Sequence, residues 1–294
     1  MSPSEVVTRS VCQEWARAYL APLKATVGVS AVSSVDLRSP IKARPLRLPG
    51  QSLQAEIETL ISEGVIPYFV AAALLVFVAA LEWIGALRRA PRQPWLYTLM
   101  AAVAGTAFAW RLVRIRKRVR LLKLGRDGEL VVGQFLEGLR VSGARVFHDI
   151  PGEGFNLDHV VLSTHGCYVI ETKTRRKPVR GEARVTLSED GVYISGQLPE
   201  RNPVVQARAG AACLAKLLEE STGKRLTVRG VVVFPGWWVE PMSAQWKRDS
   251  DKPWVLEPKA LPAFIEKEPE TIAESDVAMA AYHLSRYVRA TEAD

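Results

Sequence analysis

Cysteine is scarce in this chain, and its scarcity excludes two kinds of architecture. Three cysteines, Cys12, Cys167 and Cys213, occur among 294 residues. They are too few and too far apart for a disulfide framework or for a zinc site built from spaced cysteines. Cys167 and Cys213 lie in apolar stretches, so we expect both to be reduced core thiols in a protein from a reducing compartment.

The first 50 residues lack both a secretory signal and a regular hydrophobic period. Glu5 and Glu14 interrupt this part of the chain, which contains no apolar run of the kind found in signal peptides. Ser, Pro, Arg and Val are frequent in it. The sequence therefore predicts a disordered or poorly structured tail over residues 1–50.

Charge is nearly absent from two later stretches. Residues 65–87 contain a single charge, at Glu82, and residues 93–110 contain none. The first run is long enough to cross a bilayer core of about 30 Å, and aromatic residues lie near the ends of both runs, as they do at membrane interfaces. We expect a transmembrane hairpin with segments at about 65–87 and 93–110. The alternative is a pair of buried core helices, which the near absence of charge disfavours.

The two flanks of this hairpin differ in character. Before it, apolar residues follow helical spacing and predict an amphipathic helix over residues 51–64. After it, residues 111–124 form a basic juxtamembrane segment, and residues 111–123 hold seven Lys or Arg and no acid. Basic clusters next to a membrane segment mark the cytoplasmic side. We therefore expect the protein in the inner (cytoplasmic) membrane, with the following domain in the cytoplasm.

The remaining residues, 125–294, have the pattern of a soluble α/β domain. Alternating and β-branched runs predict strands, and longer amphipathic runs predict helices. The expected helices lie at about 127–140, 203–220 and 275–290. The expected strands lie near 144–149, 157–164 and 167–173, at "ARVTLS" and "GVYISG", and at "LTVRGVVVFPG", which we expect to be central.

Three charges lie inside two of these apolar strands, in "NLDHVVLSTHGCYVIETKT" at residues 156–174. Side chains alternate between the faces of a strand, so Glu171 and Lys173 share one face. With a two-residue turn at His165-Gly166, Asp158 falls opposite Lys173 and diagonal to Glu171. Two carboxylates and an ammonium group therefore converge on one spot.

This grouping suits hydrolysis of phosphodiester bonds. Two carboxylates can hold one Mg²⁺ or Mn²⁺, and such a metal polarises a phosphate oxygen and acidifies a bound water. Lys173 can position that water and offset the charge that builds on phosphorus. The alternative is a buried salt-bridge cluster without chemistry, and the spacing alone does not decide between the two.

Several short motifs in a fixed order carry a family resemblance. They are "GRDGE", "VFHDI", the 156–174 stretch and "NPVVQA". Over about Gly125 to Pro235 the chain resembles the nuclease-related domain family, a branch of the PD-(D/E)xK nuclease superfamily. The resemblance implies a restriction-endonuclease-like fold, a mixed sheet flanked by helices, and metal-dependent cleavage of DNA. One departure is Leu157, where the superfamily motif has proline.

The resemblance also implies roles for individual residues. Asp158 and Glu171 would be the metal ligands and Lys173 the catalytic lysine. Glu129 would be an outer acidic residue that orients a metal-bound water, although an acid in the first turn of a helix is expected from the helix dipole alone. Gln206 would support the lysine or contact DNA. His159, by contrast, points to the other face and is expected to be a structural hydrogen-bonding group, and the pair His148 and Asp149 only to cap a turn.

Basic residues are abundant, and the formal net charge of +8 favours a polyanionic partner, nucleic acid or an anionic membrane face. A basic run follows the predicted catalytic strand and is expected to contact the phosphate backbone of DNA. It consists of Arg175, Arg176, Lys177, Arg180 and Arg184. The alternative for such a run is a solvated hairpin.

These features favour a membrane-anchored, Mg²⁺- or Mn²⁺-dependent DNA nuclease. Its expected partners are DNA, membrane lipid and, for cleavage of both strands, a second copy of the chain. A catalytically silent nucleic-acid-binding or scaffold module is the first alternative. A membrane interaction or signalling protein is the second.

Overall fold

The computed structural model describes residues 45–87, 93–152, 155–178, 183–188, 191–249 and 251–291. Most of the predicted tail, and Arg180, lie outside these residues. The described helices are α1 (Gln51–Ser62), α2 (Ile66–Leu87), α3 (Pro94–Glu137), α4 (Pro203–Thr222), α5 (Ala244–Arg248), α6 (Leu261–Glu266) and α7 (Glu274–Thr291). Short 3₁₀ turns span Gly138–Ser142 and Pro258–Ala260.

The strands form two sheets. They are β1 (Arg145–Pro151), β2 (Asn156–Ser163), β3 (Gly166–Thr172), β4 (Arg184–Ser188), β5 (Gly191–Ile194), β6 (Val228–Val233), β7 (Trp238–Val239) and β8 (Trp254–Leu256). The main sheet has the order β1-β2-β3-β6-β8, antiparallel from β1 to β3 and parallel from β3 to β8. The smaller sheet has the order β5-β4-β7. β6, predicted to be central from its run of β-branched residues, is an interior strand between β3 and β8, and β3 is the middle strand.

Helices cover both faces of the main sheet. Val132 and Leu136 of α3 pack with Val161 and Ile170 on one face. On the other face, Leu162 and Val169 join apolar residues of α4 and α7 such as Leu214 and Leu284. The structure confirms the predicted mixed sheet flanked by helices and preceded by two long apolar helices.

Helix α3 is one continuous helix of 44 residues. The predicted helix start near residue 127 is therefore wrong. The basic stretch before it is rich in Leu, Arg and Lys, which are good helix formers, so nothing there ends the helix. The whole helix is about 66 Å long and includes both the apolar run and the first residues of the α/β domain.

Helices α2 and the first part of α3 pack against each other and expose many apolar side chains. Phe69 and Phe108 place their rings 5.9 Å apart, and Trp83 contacts Trp95 edge to face at 4.7 Å. Of the described residues of α2, only two alanines are buried. The exposed large side chains include Phe69, Leu74, Phe77, Leu81, Leu99 and Val103. This exposure disfavours a pair of core helices, and both helices are long and apolar enough to cross a membrane.

Candidate active site

The hairpin between β2 and β3 brings the first carboxylates together, with a different turn from the predicted one. Ser163 pairs with Gly166, so the two-residue turn is Thr164-His165 and not His165-Gly166. Continuing this register places Asp158 opposite Glu171, not opposite Lys173. The shift is two residues, and because the side-chain period of a strand is also two, Asp158 keeps its face.

Contacts from distant residues select this turn. The carbonyl oxygen of Thr164 accepts hydrogen bonds from the backbone N–H groups of Thr271 and Ile272, at 2.9 and 3.0 Å. His165 Nδ1 lies 2.6 Å from the carbonyl oxygen of Glu268. These partners are about a hundred residues away in the chain, so local turn preferences did not reveal the register.

Lys173 lies at the centre of the polar cluster. Its Nζ donates to Glu171 Oε1 at 2.6 Å and to Gln206 Oε1 at 2.8 Å. Asp158 is held by the backbone N–H of Thr172, which donates to its Oδ2 at 2.7 Å. The structure thus brings together four of the residues that the sequence singles out.

Gln206 reaches Lys173 because of the way α4 begins. Asn202 caps the helix, accepting from the N–H of Val204 at 3.0 Å, and Pro203 occupies the first turn. Gln206 therefore lies one turn into the helix, at the edge of the sheet where β3 ends. The predicted start of this helix is confirmed.

Glu129 approaches the same cluster from α3. It is 8% exposed and lies far inside the helix, so a first-turn preference for acids does not explain it. Gly128 allows the close approach, because a Cβ there would lie 1.6 Å from Thr174 Oγ1. A buried acid in a helix interior is costly without a role or a partner.

The clustered carboxylates have raised pKa values. Burial, followed by the charges of Asp149 and Glu171, raises the pKa of Glu129 to about 7. Burial, then the charges of Glu171 and Glu129, raises the pKa of Asp158 well above its usual range. For Glu171, burial also raises the pKa and Lys173 lowers it. The cluster therefore holds more negative charge than its one lysine compensates.

These residues fit a hard divalent cation. Asp158 and Glu171 offer oxygen ligands, which Mg²⁺ and Mn²⁺ prefer, and Mg²⁺ keeps several waters when few protein ligands are present. Among the described residues, no group of three or more His, Cys, Asp or Glu is arranged to hold a metal. A two-carboxylate site completed by water is consistent with that finding, and a cation there would favour the ionised carboxylates, which burial and their mutual repulsion disfavour.

A cavity of about 580 Å³ opens beside Glu129 and Asp158. Its other lining residues are Ser52, Leu53, Glu56, Gly152, Phe155, Asn156 and Arg201. The first three belong to α1. Sequence reasoning predicted this helix but gave it no part in the site, because no local pattern connects it with residues so far along the chain.

A second, larger groove of about 860 Å³ follows the end of β3. Arg175, Arg176 and Arg184 line it, together with polar residues of the β4-β5 region and the side chain of Trp237. Arg184 also lies over the ring of Trp238, at 4.8 Å from its centroid. Lys177 is exposed beside the groove without lining it, and Arg180 lies outside the described residues.

The histidines of β1 and β2 lie on the opposite face from the cluster, as predicted for His159. His148 Nδ1 and His159 Nδ1 are 2.8 Å apart, and His148 Nε2 lies 2.9 Å from Glu137 Oε1. Burial lowers both pKa values, that of His159 to about 3. Both imidazoles are therefore neutral near pH 7, and a structural role for the pair stays a prediction.

Asp149 does not cap a turn as predicted. Its backbone is left-handed at φ 49°, and its buried carboxylate accepts from the backbone N–H of Ser52 at 2.7 Å. It thus caps the start of α1. Asp and Asn tolerate this backbone conformation better than most residues.

A family model supports the same assignment of the domain. The model of the nuclease-related domain (NERD) matches residues 124–235. This part of the chain is a nuclease-related domain, and its family is similar to the PD-(D/E)xK nucleases. Comparison with characterised proteins and with solved structures gave no match.

Proposed function

We propose that this protein is a membrane-anchored, divalent-metal-dependent nuclease that hydrolyses DNA phosphodiester bonds. The observation that carries the proposal is the Lys173 ammonium group, held by Glu171 and Gln206 beside Asp158 and the buried Glu129. A nuclease-related domain that retained the fold alone would not need to keep these costly groups together.

Each residue has a role that follows from its position. Asp158 and Glu171 would hold Mg²⁺ or Mn²⁺, which when bound polarises a phosphate oxygen and lowers the pKa of a water. Lys173 is oriented by its two oxygen partners, and its charge offsets the negative charge that develops on the phosphate. Glu129 accepts a proton readily near neutral pH, which suits it to hold or receive a proton from the attacking water.

The groove lined by Arg175, Arg176 and Arg184 begins just after Lys173 in the chain and would provide a path for the phosphate backbone. Contacts of this kind give affinity without reading sequence, and that affinity falls steeply with salt. Arg201, which lines the smaller cavity, adds a positive charge beside Asp158. Nucleic acid is therefore the polyanion that the charge distribution of this domain fits best.

Helices α2 and α3 would anchor the domain in the inner membrane, with the domain in the cytoplasm. The basic part of α3 follows the apolar part directly, where it can contact anionic lipid headgroups. Arg111 donates to the carbonyl oxygen of Gly64 at 2.9 Å and lies over the ring of Tyr68, at the expected level of the membrane surface. Cleavage of both strands of a duplex would involve a homodimer.

The test uses the full-length protein in detergent micelles. Supercoiled DNA, linear duplex, single-stranded DNA and RNA are incubated with Mg²⁺, with Mn²⁺ or with EDTA. We expect cleavage of DNA that requires the metal. Lys173→Ala and Glu171→Ala should lower the rate at least 100-fold and leave DNA affinity within about threefold.

The matched control is Lys216→Ala, which removes an exposed lysine from the far part of α4 and should cut like wild type. Binding of DNA without cleavage of any form would favour the silent scaffold. If the full-length protein bound no nucleic acid at low salt, a membrane interaction role would replace both.

A further inference from the structure

The short segment that leads into the first turn of α1 lies against two buried carboxylates of the domain. We call residues Arg47–Ser52 the lead segment; it lies well before the part of the chain that matches the nuclease-related domain. Ser52 donates to Asp149 twice, from its backbone N–H at 2.7 Å and from its Oγ at 2.6 Å. Arg47 Nη1 lies 3.5 Å from the same carboxylate, and Asn156 Nδ2 donates to it at 3.0 Å. Asp149 thus anchors the lead segment with both oxygens.

The lead segment also reaches Glu129. The backbone N–H of Gly50 faces the Glu129 carboxylate and favours its ionised form. Gly50 has a left-handed φ of 69°, and a Cβ on it would lie 2.8 Å from Cγ of Arg126 and 3.3 Å from its Cα. Only glycine allows the backbone to lie so close to α3 at this point.

Glycines of α3 shape the surface on which the lead segment lies. A Cβ on Gly133 would meet Cγ of Pro49 at 2.5 Å. A Cβ on Gly125 would meet Cδ1 of Leu53 at 3.2 Å. The face of α3 that carries Glu129 is therefore fitted to Pro49 of the lead segment on one side of the acid and to Leu53 of α1 on the other.

We propose that the lead segment is part of the catalytic site, where it positions Glu129 and is itself positioned by Asp149. This inference rests on the proposed function. With Pro49 and Gly50 packed against α3, the N–H of Gly50 faces the Glu129 carboxylate and limits its rotation. The bonds from Ser52 to Asp149 hold Gly50 in place. The active site of this chain therefore extends beyond the matched domain, into residues that precede the first apolar helix.

The experiment compares single substitutions in the full-length protein in detergent micelles. Gly133→Ala pushes Pro49 away. Asp149→Asn places an amide NH₂ group among partners that all donate hydrogen bonds to the carboxylate. Asparagine tolerates the left-handed backbone at this position, so the backbone itself should not change. Ser52→Ala removes one bond, and Ser52→Thr restores the hydroxyl. The matched control is Gly138→Ala, because a Cβ there meets nothing within 4 Å.

Three quantities are measured: Mn²⁺ affinity by electron paramagnetic resonance, the Mn²⁺ concentration for half-maximal cleavage, and DNA affinity. We expect Gly133→Ala and Asp149→Asn to weaken Mn²⁺ binding by about tenfold or more, as the loss of partners that orient a metal site does. DNA affinity should stay within twofold. Ser52→Ala should have a smaller effect that Ser52→Thr reverses, and Gly138→Ala should match wild type.

A double-mutant cycle separates positioning from a general loss of structure. In a Glu129→Gln background, Gly133→Ala should cause no further loss of Mn²⁺ affinity, because its effect passes through Glu129. Additive losses, or a fall in DNA affinity that parallels the melting temperature, would overturn the inference. So would Mn²⁺ affinities equal to wild type in Gly133→Ala, Asp149→Asn and Ser52→Ala alike.

The same data distinguish failure of the inference from failure of the proposed function. A wild-type protein that binds Mn²⁺ but cuts no nucleic acid would refute the nuclease activity, and the Mn²⁺ affinities would still decide the role of the lead segment. A wild-type protein that binds no Mn²⁺ would overturn both.

Discussion

At the scale of single residues, Gln206 has two candidate roles that kinetics can separate. Its Oε1 accepts from Lys173 Nζ at 2.8 Å, so it orients the lysine in the structure. A hydrogen bond to a charged group contributes about 1.5–3 kcal/mol, which corresponds to roughly 10- to 100-fold in rate. We expect Gln206→Ala to lower kcat by this factor with KM changed less than twofold.

The control for Gln206 is the neighbouring Val205→Ala, an exposed position on the same helix, which should leave both constants unchanged. A contact between Gln206 and DNA makes the opposite prediction. In that case KM and DNA affinity would change and kcat would not.

The raised pKa of Glu129 predicts how the free energy of unfolding of the metal-free protein depends on pH. Its pKa is about 7 in the folded protein against 4.5 for an ordinary glutamate, so the folded state binds more protons between these values. Stability should therefore be greatest below pH 4.5 as far as this group is concerned, and fall as pH rises towards 7. The full difference corresponds to about 3 kcal/mol, of which about 2 kcal/mol falls between pH 5.5 and pH 7.5. Thermal melting of the metal-free protein at these two pH values measures that part.

Two comparisons sharpen that measurement. Glu129→Gln should reduce the loss of melting temperature between the two pH values, because the amide does not titrate. Mg²⁺ should raise the melting temperature more at pH 7.5 than at pH 5.5. A wild-type melting temperature that rises with pH over this interval, with Glu129→Gln behaving alike, would contradict the assignment.

At the scale of elements, Gly128 controls how close α3 comes to the end of β3. A Cβ there would lie 1.6 Å from Thr174 Oγ1, next to Lys173 in the chain. We expect Gly128→Ala to destabilise the protein by about 1–3 kcal/mol, the usual effect of overpacking, and to reduce cleavage by displacing Lys173. Urea unfolding and the cleavage rate measure the two effects.

A second substitution provides the test of mechanism. Thr174→Gly removes the atoms that Gly128→Ala would strike, so the double variant should recover activity relative to Gly128→Ala alone. If the loss of activity in the double variant equalled the sum of the losses in the two single variants, contact with Thr174 would not be the cause of the effect of Gly128→Ala.

The elements also show which parts of the structure could be predicted from the sequence. The convergence of Asp158, Glu171 and Lys173 was found despite a wrong turn, because a shift of two residues preserves the face of a strand. The start of α4 was found because Asn202 and Pro203 are local signals. The α3 boundary was missed, because the change of hydrophobic pattern near residue 124 marks a change of surroundings and not an end of the helix.

The contribution of α1 to the site had no signal in the sequence. Ser52 and Asp149 are 97 residues apart, and their contact depends on how the whole domain folds around α3. Serine at a helix start and aspartate at a strand end are both common, so neither residue predicts the other.

At the scale of the whole molecule, the apolar hairpin predicts a topology. The loop between α2 and α3 should face away from the cytoplasm, and the nuclease-related domain should face it. We expect Arg89→Cys to react with a membrane-impermeant maleimide on intact cells, and Arg286→Cys only after the cells are permeabilised. The wild-type chain, with its own cysteines, is the background control. Equal labelling of both positions on intact cells would contradict this orientation.

Because α3 is continuous, it fixes the distance between its apolar part and the candidate site. Trp110, at the end of the apolar run, and Glu129 belong to the same rod, which rises 1.5 Å per residue, so about 28 Å of helix separates them. If the apolar part spans a bilayer as proposed, the unbroken helix fixes the distance between the membrane surface and the candidate site. An enzyme of the proposed kind would act only within a narrow layer beside the membrane surface. A polynucleotide would have to come that close to the membrane to be cut.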